Sequence, residues 1–360
     1  MLLLGNYLYL TRRSGSPPHW QNRPLPYTIP PDQGVQYCDQ NGYKMPKAVL
    51  LPLIVAVNKR FEMIKEPAFN WSDIDIVTDR NNLRKLMRWA TGGAEDFRID
   101  LQLAGHKTVL MNRFSQKYKT MFSGRTYGFS FEKSSTLPAP GCKNSSGHHR
   151  IITYVSRTVV LSSLFHFELL FKDLSGLKVV VRFEVDACTR PPVKYPRRST
   201  TSVDELVASL TGVSLGPHTS FRSEYPLLVR EGGVEVPADT VIEIVTRSEA
   251  NISRGYNWND VYPQLFFSQT AQHYLAVHKY GRFSEITKKK TKEMQDIEQD
   301  SQPGFKKVRR VLDVIRGLVM KHGKEGGLSL VCKGGVMNVY ERKSKETLLP
   351  DVAMKFFESA

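Results

Sequence analysis

Carboxylates set in apolar stretches are the residues of this chain best placed to do chemistry. Lys178 to Ala187 reads KVVVRFEVDA, a β-strand pattern with Glu184 and Asp186 near its end. Side chains alternate faces along a strand, so residues two apart point the same way, about 7 Å from each other. Two carboxylates on one face of a Val/Phe-rich strand repel each other and are costly to take out of water. A divalent cation held by hard oxygen ligands would compensate them. A second apolar strand, TVIEIVTR over 240–247, carries Glu243. Together these strands predict a metal site at the middle of a sheet. The same pattern also fits acids on a solvated face or in ordinary ion pairs, and spacing alone does not separate the two readings.

The elements that must position these groups interleave strand and helix patterns. Residues 1–45 are an irregular arm rich in Pro, Gly, Asn and Gln, after an apolar start that reads as an early strand. KAVLLPLIVAVNKRFEM has apolar residues at helical spacing, with Pro52 placed to bend the helix. DIDIVTDR then reads as a strand or turn that delivers Arg80 to a short basic helix bearing Arg84, Lys85 and Arg88. FRIDLQLAGHKTVLMN alternates around Ala-Gly as a hairpin does, and GRTYGFSFE reads as a Gly-flanked turn or strand ending at Glu132. Val261 to His278 has helical spacing and carries Gln264, Gln269 and Gln272. The charged stretch 284–300 reads as a solvated excursion. Phe305 to Lys321 is amphipathic, and the closing 328–342 segment is a hairpin turning at Lys-Gly-Gly. The expected organisation is a single α/β domain over 46–345 with a mixed β-sheet core flanked by helices. The arm precedes it, and a C-terminal tail follows over 346–360.

Composition bounds the rest. Apolar residues at 41% and charged residues at 24% are those of a globular protein. The excess of 51 Lys+Arg over 35 Asp+Glu, a net charge of +16, suits a polyanionic partner. Cys38, Cys142, Cys188 and Cys332 form no CxxC motif and read as reduced thiols of an intracellular chain, with no zinc site indicated. No run approaches a membrane span of about 20 apolar residues.

Taken in order, the motifs resemble the DXO-type family of eukaryotic decapping exoribonucleases over residues 25–345. DIVTDRNNLRKL is similar to the family's strand and helix around an invariant arginine, which falls on Arg80. YGFSFEKSS resembles its Gly-aromatic-x-Phe-Glu motif, with the glutamate at Glu132. RFEVDAC resembles its Glu-x-Asp motif at Glu184 and Asp186. VIEIVTR resembles its Glu-hydrophobic-Lys motif, with Glu243 as the acid. TAQHYL is similar to its later helix with a functional glutamine, which points to Gln272.

The resemblance implies a fold related to restriction-type (PD-(D/E)xK-like) nucleases and hydrolysis of RNA 5′ ends. Family members remove triphosphates, incomplete caps or NAD-type caps, and several digest RNA from 5′ to 3′. It implies two Mg²⁺ or Mn²⁺ ions held by Glu132, Glu184, Asp186, Glu243 and the Ile244 carbonyl, with Arg80 and Gln272 on RNA phosphates or the attacking water. Basic segments at 84–88, 113–119 and 190–198 would line the approach of a single strand. A separate 5′–3′ exoribonuclease is an implied partner, and the nucleus, with the cytoplasm as alternative, the implied location. Oligomeric state is not indicated.

One departure is chemical. The motif lysine is here Val245, which can neither orient water nor balance charge at a phosphate; Arg247, two residues on along the same strand face, is the one residue placed to supply part of that charge. The competing expectation is therefore a catalytically weakened relative that binds RNA 5′ ends or a nuclease partner.

Overall fold

A computed structural model describes residues 9–10, 17–37, 45–63, 65, 67–93, 95–115, 119–138, 149–154, 174, 176–189, 220–222, 228–230, 236 and 238–358. The arm contributes short strands β1 (Tyr9–Leu10), β2 (His19–Trp20), β3 (Tyr27–Thr28) and β4 (Gln33–Tyr37). Helix α1 (Leu51–Met63) follows. Pro52 lies in its first turn, where a missing N–H is tolerated, so it starts the helix instead of bending it. Strand β5 (Ile76–Asp79) runs directly into helix α2 (Arg80–Ala90). The expected hairpin forms from β6 (Phe97–Ala104) and β7 (Thr108–Arg113).

After β8 (Lys119–Ser123) come helix α3 (Gly128–Ser135) and β9 (Thr136–Leu137). Strands β10 (His149–Tyr154), β11 (Val179–Glu184) and β12 (Ala187–Cys188) precede a small pair, β13 (Ser220–Arg222) and β14 (Leu228–Arg230). The second acidic strand is β15 (Val241–Ser248), followed by the one-turn α4 (Glu249–Ile252) and α5 (Trp258–Ser268). A hairpin of β16 (Gln272–Lys279) and β17 (Arg282–Lys290) leads to the long α6 (Gln295–His322). Its two-residue turn, Tyr280-Gly281, has φ of +49° and +84°, and a Cβ on Gly281 would stand 2.4 Å from the Tyr127 ring. The chain closes with β18 (Leu328–Lys333), β19 (Val336–Glu341) and α7 (Asp351–Met354).

Two mixed seven-stranded sheets result, ordered β10-β11-β5-β7-β6-β18-β19 and β3-β17-β16-β15-β12-β2-β9. In the first, β11, β5 and β7 are mutually parallel and buried on both faces, as their unbroken apolar runs require. Ile76, Val179 and Val181 face a core shared with Leu83, Leu265, Phe305 and Leu312 of α2, α5 and α6. Their neighbours Val77 and Val180 face a second core, with Leu50, Leu53, Ile54 and the C-terminal Phe357. The second sheet packs Ile242, Tyr274 and Phe283 around Phe131 of α3. This is the expected α/β class, mixed sheets flanked by helices.

Several local expectations change. GFSFE is helical, because Phe131 buries itself in the second sheet's core. The helix expected over 261–278 stops at Ser268. Gln269 takes a left-handed conformation (φ 46°), and the chain returns as β16. The stretch expected as a solvated excursion forms β17 and the first turns of α6. Residues 346–360, expected as a tail, place Leu348, Leu349 and Phe357 in the core. Cys188 and Cys332 are buried free thiols; Cys38, Cys142 and the basic loop at 190–198 lie outside the described residues. Among the described residues no helix is long and apolar enough to cross a membrane.

Candidate active site

The acidic pair lies where the chain passes from one sheet to the other. Strand β11 ends at Glu184, and after a two-residue link, Val185-Asp186, β12 begins in the second sheet. Alternation survives the change of sheet: Glu184 is exposed, Val185 buried and Asp186 partly exposed. Pairing of Ala187 with Ile242 brings β12 against β15, and the Asp186 carboxylate accepts the Ile244 N–H at 2.7 Å. The first sheet's side of the junction is fixed by a buried ion pair. Arg182 on β11 donates to both oxygens of Asp79, at 2.6 and 3.0 Å, and to the Val49 carbonyl at 2.6 Å. Breaking such a pair costs about 3–5 kcal/mol. It holds Asp79 directly before Arg80, and Arg182 two residues before Glu184.

Glu243 is 6% exposed, at the third position of β15. Its Oε2 accepts from Arg80 Nη1 at 2.7 Å, and its Oε1 accepts from the side-chain amide of Gln264 on α5. Arg80 also reaches Ser268 Oγ at 3.4 Å, and its guanidinium lies 5.4 Å from the Phe183 ring centroid. The first residue of α2, the middle of β15 and the second turn of α5 thus meet on one carboxylate.

Glu132 comes from α3. Phe131 is fully buried against Phe283, with ring centroids 4.3 Å apart, which turns the next residue towards β15. The near end of α3 is tied by buried Asp32, which accepts Thr126 Oγ1 at 2.8 Å and the Ser130 N–H at 2.7 Å. Burial, then the charges of Glu184 and Glu243, push the Glu132 carboxyl up to about 8. Burial, then Glu243 and Glu132, also raise Asp186 well above the usual carboxylate range, against the opposing Ile244 N–H and Arg80.

Glu132, Asp186, Glu243, Val245 and Arg247 line one cleft of about 580 Å³, whose other walls include Arg125, Phe122 and Phe129. Negative charge here exceeds what Arg80 neutralises, and Glu132 and Asp186, being part-buried as well, respond with raised pKa values. A hard divalent cation would reverse that response. In element type and charge the donor set fits Mg²⁺, Mn²⁺ or Ca²⁺. Among the described residues, no three His, Cys, Asp or Glu side chains stand grouped as metal ligands; Glu243 is turned into Arg80 and Gln264.

The structure thus brings Glu132, Asp186, Glu243, Ile244 and Arg247 to one cleft, sets Glu184 at the end of β11, and places Arg80 behind Glu243. Ile244 meets Asp186 through its N–H. Arg247 is exposed and donates to the Thr246 carbonyl at 3.0 Å. Gln272 stands elsewhere. It opens β16, where its amide donates to the Asp239 carbonyl at 2.7 Å and accepts the Tyr274 hydroxyl at 3.1 Å. The glutamine that reaches the acids is Gln264, one of three on the predicted helix. Helical periodicity pointed to the segment, and no sequence signal marked where the helix stops.

Residues 8–357 match the family described as "Domain of unknown function (DUF8563)", and the chain belongs to that family. No curated protein matches the sequence. Among solved structures it is similar to S. pombe Rai1, at 12% identity over 95% of this chain and 96% of that one, with a TM-score of 0.53. It is similar to Scheffersomyces stipitis Rai1 in complex with (3′-NADP)⁺ and calcium ion, at 12% identity, 94% and 97% coverage and a TM-score of 0.53. Candida albicans Rai1 in complex with pU5-Mn²⁺ aligns at 11% identity, covering 85% and 79%, also with a TM-score of 0.53. At these identities the likeness is one of fold: this chain has the fold of Rai1.

Proposed function

We propose that this chain is a divalent-cation-dependent hydrolase of RNA 5′ ends, acting on triphosphate, incomplete-cap or NAD-type ends. The observation that carries the reading is the convergence of Glu132, Asp186 and Glu243, from separate segments of the chain, on one cleft where burial and mutual repulsion raise the pKa of the first two. Support comes from the shared fold with Rai1 structures in complex with pU5-Mn²⁺ and with (3′-NADP)⁺ and calcium ion.

The residues divide the work. Glu132, Glu184, Asp186 and Glu243 would hold the metal. Bound there, one or two Mg²⁺ or Mn²⁺ ions would supply charge neutralisation at the scissile phosphate and an activated water. Arg80 and Gln264 fix the rotamer of Glu243 by holding one oxygen each. The Ile244 N–H holds one oxygen of Asp186, leaving the other for a ligand. Arg125 and Arg247 meet substrate phosphates at the cleft mouth, beside the Phe122 and Phe129 rings, on which a base can stack.

A second reading rests on Val245. It lines the cleft where the resemblance expects a lysine, and Arg247 is turned to the Thr246 carbonyl. On that reading the cleft binds RNA 5′ ends with little turnover. Incubation with 5′-triphosphate, cap-analogue and NAD-capped RNA, in Mn²⁺ and in EDTA, separates the two. Metal-dependent release of the end group supports the hydrolase; tight binding without release supports the weakened relative.

A further inference from the structure

A second polar cleft, of about 520 Å³, opens beside the first turn of α5, with Arg84, Arg88, Thr91, Asn257, Asn259 and Asp260 in its wall. Arg80, Arg84 and Arg88 recur every fourth residue, so they share one face of α2, each about 6 Å further along the axis. Three guanidiniums here share two carboxylates. Glu243 takes Arg80 at 2.7 Å, and both Asp260 oxygens take Arg88, at 2.6 and 2.7 Å. Arg84 is left over. Its closest carboxylate oxygen is Asp260 Oδ2 at 3.9 Å, and its Nε is buried with no hydrogen-bond partner among the described residues. Burial, then the charges of Arg88 and Arg80, depress its pKa. Folding has therefore part-buried a cation between two other cations, with its nearest counter-ion, Asp260, 3.9 Å away and already holding Arg88 through both oxygens.

We propose that this cleft is a phosphate-binding subsite in which Arg84 supplies the vacant charge and the exposed amides of Asn257 and Asn259 supply further donors. A guanidinium fork suits phosphate oxygens, whether they belong to a nucleic-acid backbone or to a free phosphoanion. Resting on the RNA 5′-end reading, the ligand is a backbone phosphodiester of the strand whose reacting end lies at the acidic cleft, because Arg84 stands one helical turn beyond the arginine that holds Glu243.

The test uses the full chain in EDTA, where turnover does not intervene, and 3′-labelled single-stranded RNA followed by anisotropy across a salt series. Arg84→Gln is expected to weaken binding several-fold for every sequence and to make the log–log salt slope shallower by about 0.7, the share of one phosphate contact. Arg84→Lys should restore part of both. Thermal melting should show Arg84→Gln at least as stable as wild type, since repulsion is relieved, so weaker binding is not unfolding. Inorganic pyrophosphate is the second arm: an Arg84-dependent thermal shift with pyrophosphate, alongside unchanged RNA binding, assigns the subsite to free phosphoanions. Wild-type behaviour of Arg84→Gln towards both probes overturns the proposal. Failure to hydrolyse RNA would bear on the acidic cleft and leave this binding result standing.

Discussion

Arg80 and Glu243, 163 residues apart, meet at 2.7 Å between Nη1 and Oε2, and Gln264 holds the other oxygen of the same carboxylate. That three-way contact makes Gln264, on α5, the glutamine that holds a carboxylate of the candidate site. Gln264→Leu is expected to lower kcat on 5′-triphosphate RNA by about 10- to 100-fold, as loss of a partner that orients a ligating side chain does. Gln272→Leu should leave kcat near wild type, because its amide serves Asp239 and Tyr274. Equal losses in the two variants would return the role to Gln272.

The Arg80–Glu243 pair is buried on both sides, at 13% and 8% side-chain exposure. Arg80→Met leaves Glu243 charged and only Gln264 to hold it, so a destabilisation of about 3–5 kcal/mol is expected in urea denaturation. Adding Glu243→Gln removes the stranded charge and should recover a large part of that loss. A double variant as unstable as the sum of the two singles would show that the residues do not act as a pair.

Metal-free protein should lose stability as pH rises. Glu132 holds its proton up to about 8 in the fold, against a reference value of 4.5. Between those values the folded state binds more protons than the unfolded chain, so this contribution is full below about 4.5 and is lost as pH rises towards 8. Asp186 is shifted in the same direction. Melting temperatures in EDTA from pH 5 to 8.5 should fall more steeply for wild type than for Glu132→Gln, and Mn²⁺ should remove the difference. Parallel curves for the two proteins would contradict the shift.

Much of this was legible in the sequence, for identifiable reasons. The β5–α2 junction is written as Ile-Val-Thr-Asp followed by a basic amphipathic turn, and the closing hairpin as Lys-Gly-Gly. Other features were hidden because their causes are not local. GFSFE alternates like a strand yet folds as α3, since Phe131 is anchored by Tyr27 and Phe283, from distant segments. The stop of α5 has no Gly or Pro to mark it; Gln269 takes the left-handed conformation itself. Glu184 and Asp186 read as one strand face, whereas the chain changes sheets between them. Only the pairing of β12 with β15 sets Asp186 on the Ile244 N–H.

On the hydrolase reading, Val245 sets how strongly the cleft can act. Val245 is part-buried in the cleft wall and two residues from Glu243 on the same strand face. Val245→Lys is expected to raise turnover of 5′-triphosphate RNA about 10-fold or more, on the scale of one positioned proton-transfer or charge-stabilising group. Arg247→Ala should raise KM more than it lowers kcat, as loss of a phosphate contact at the cleft mouth does. A Val245→Lys protein no faster than wild type would mean that the lost lysine is not what limits the reaction.

The most direct measurement compares wild type with a Glu184→Ala/Asp186→Ala variant on 5′-triphosphate, cap-analogue and NAD-capped RNA, each in Mn²⁺ and in EDTA. Metal-dependent release of a 5′-end product by wild type, lost in the variant while its fold is retained by melting, is the predicted result. No metal-dependent difference between the two proteins on any of the three ends would contradict a metal-dependent hydrolase built on these acids.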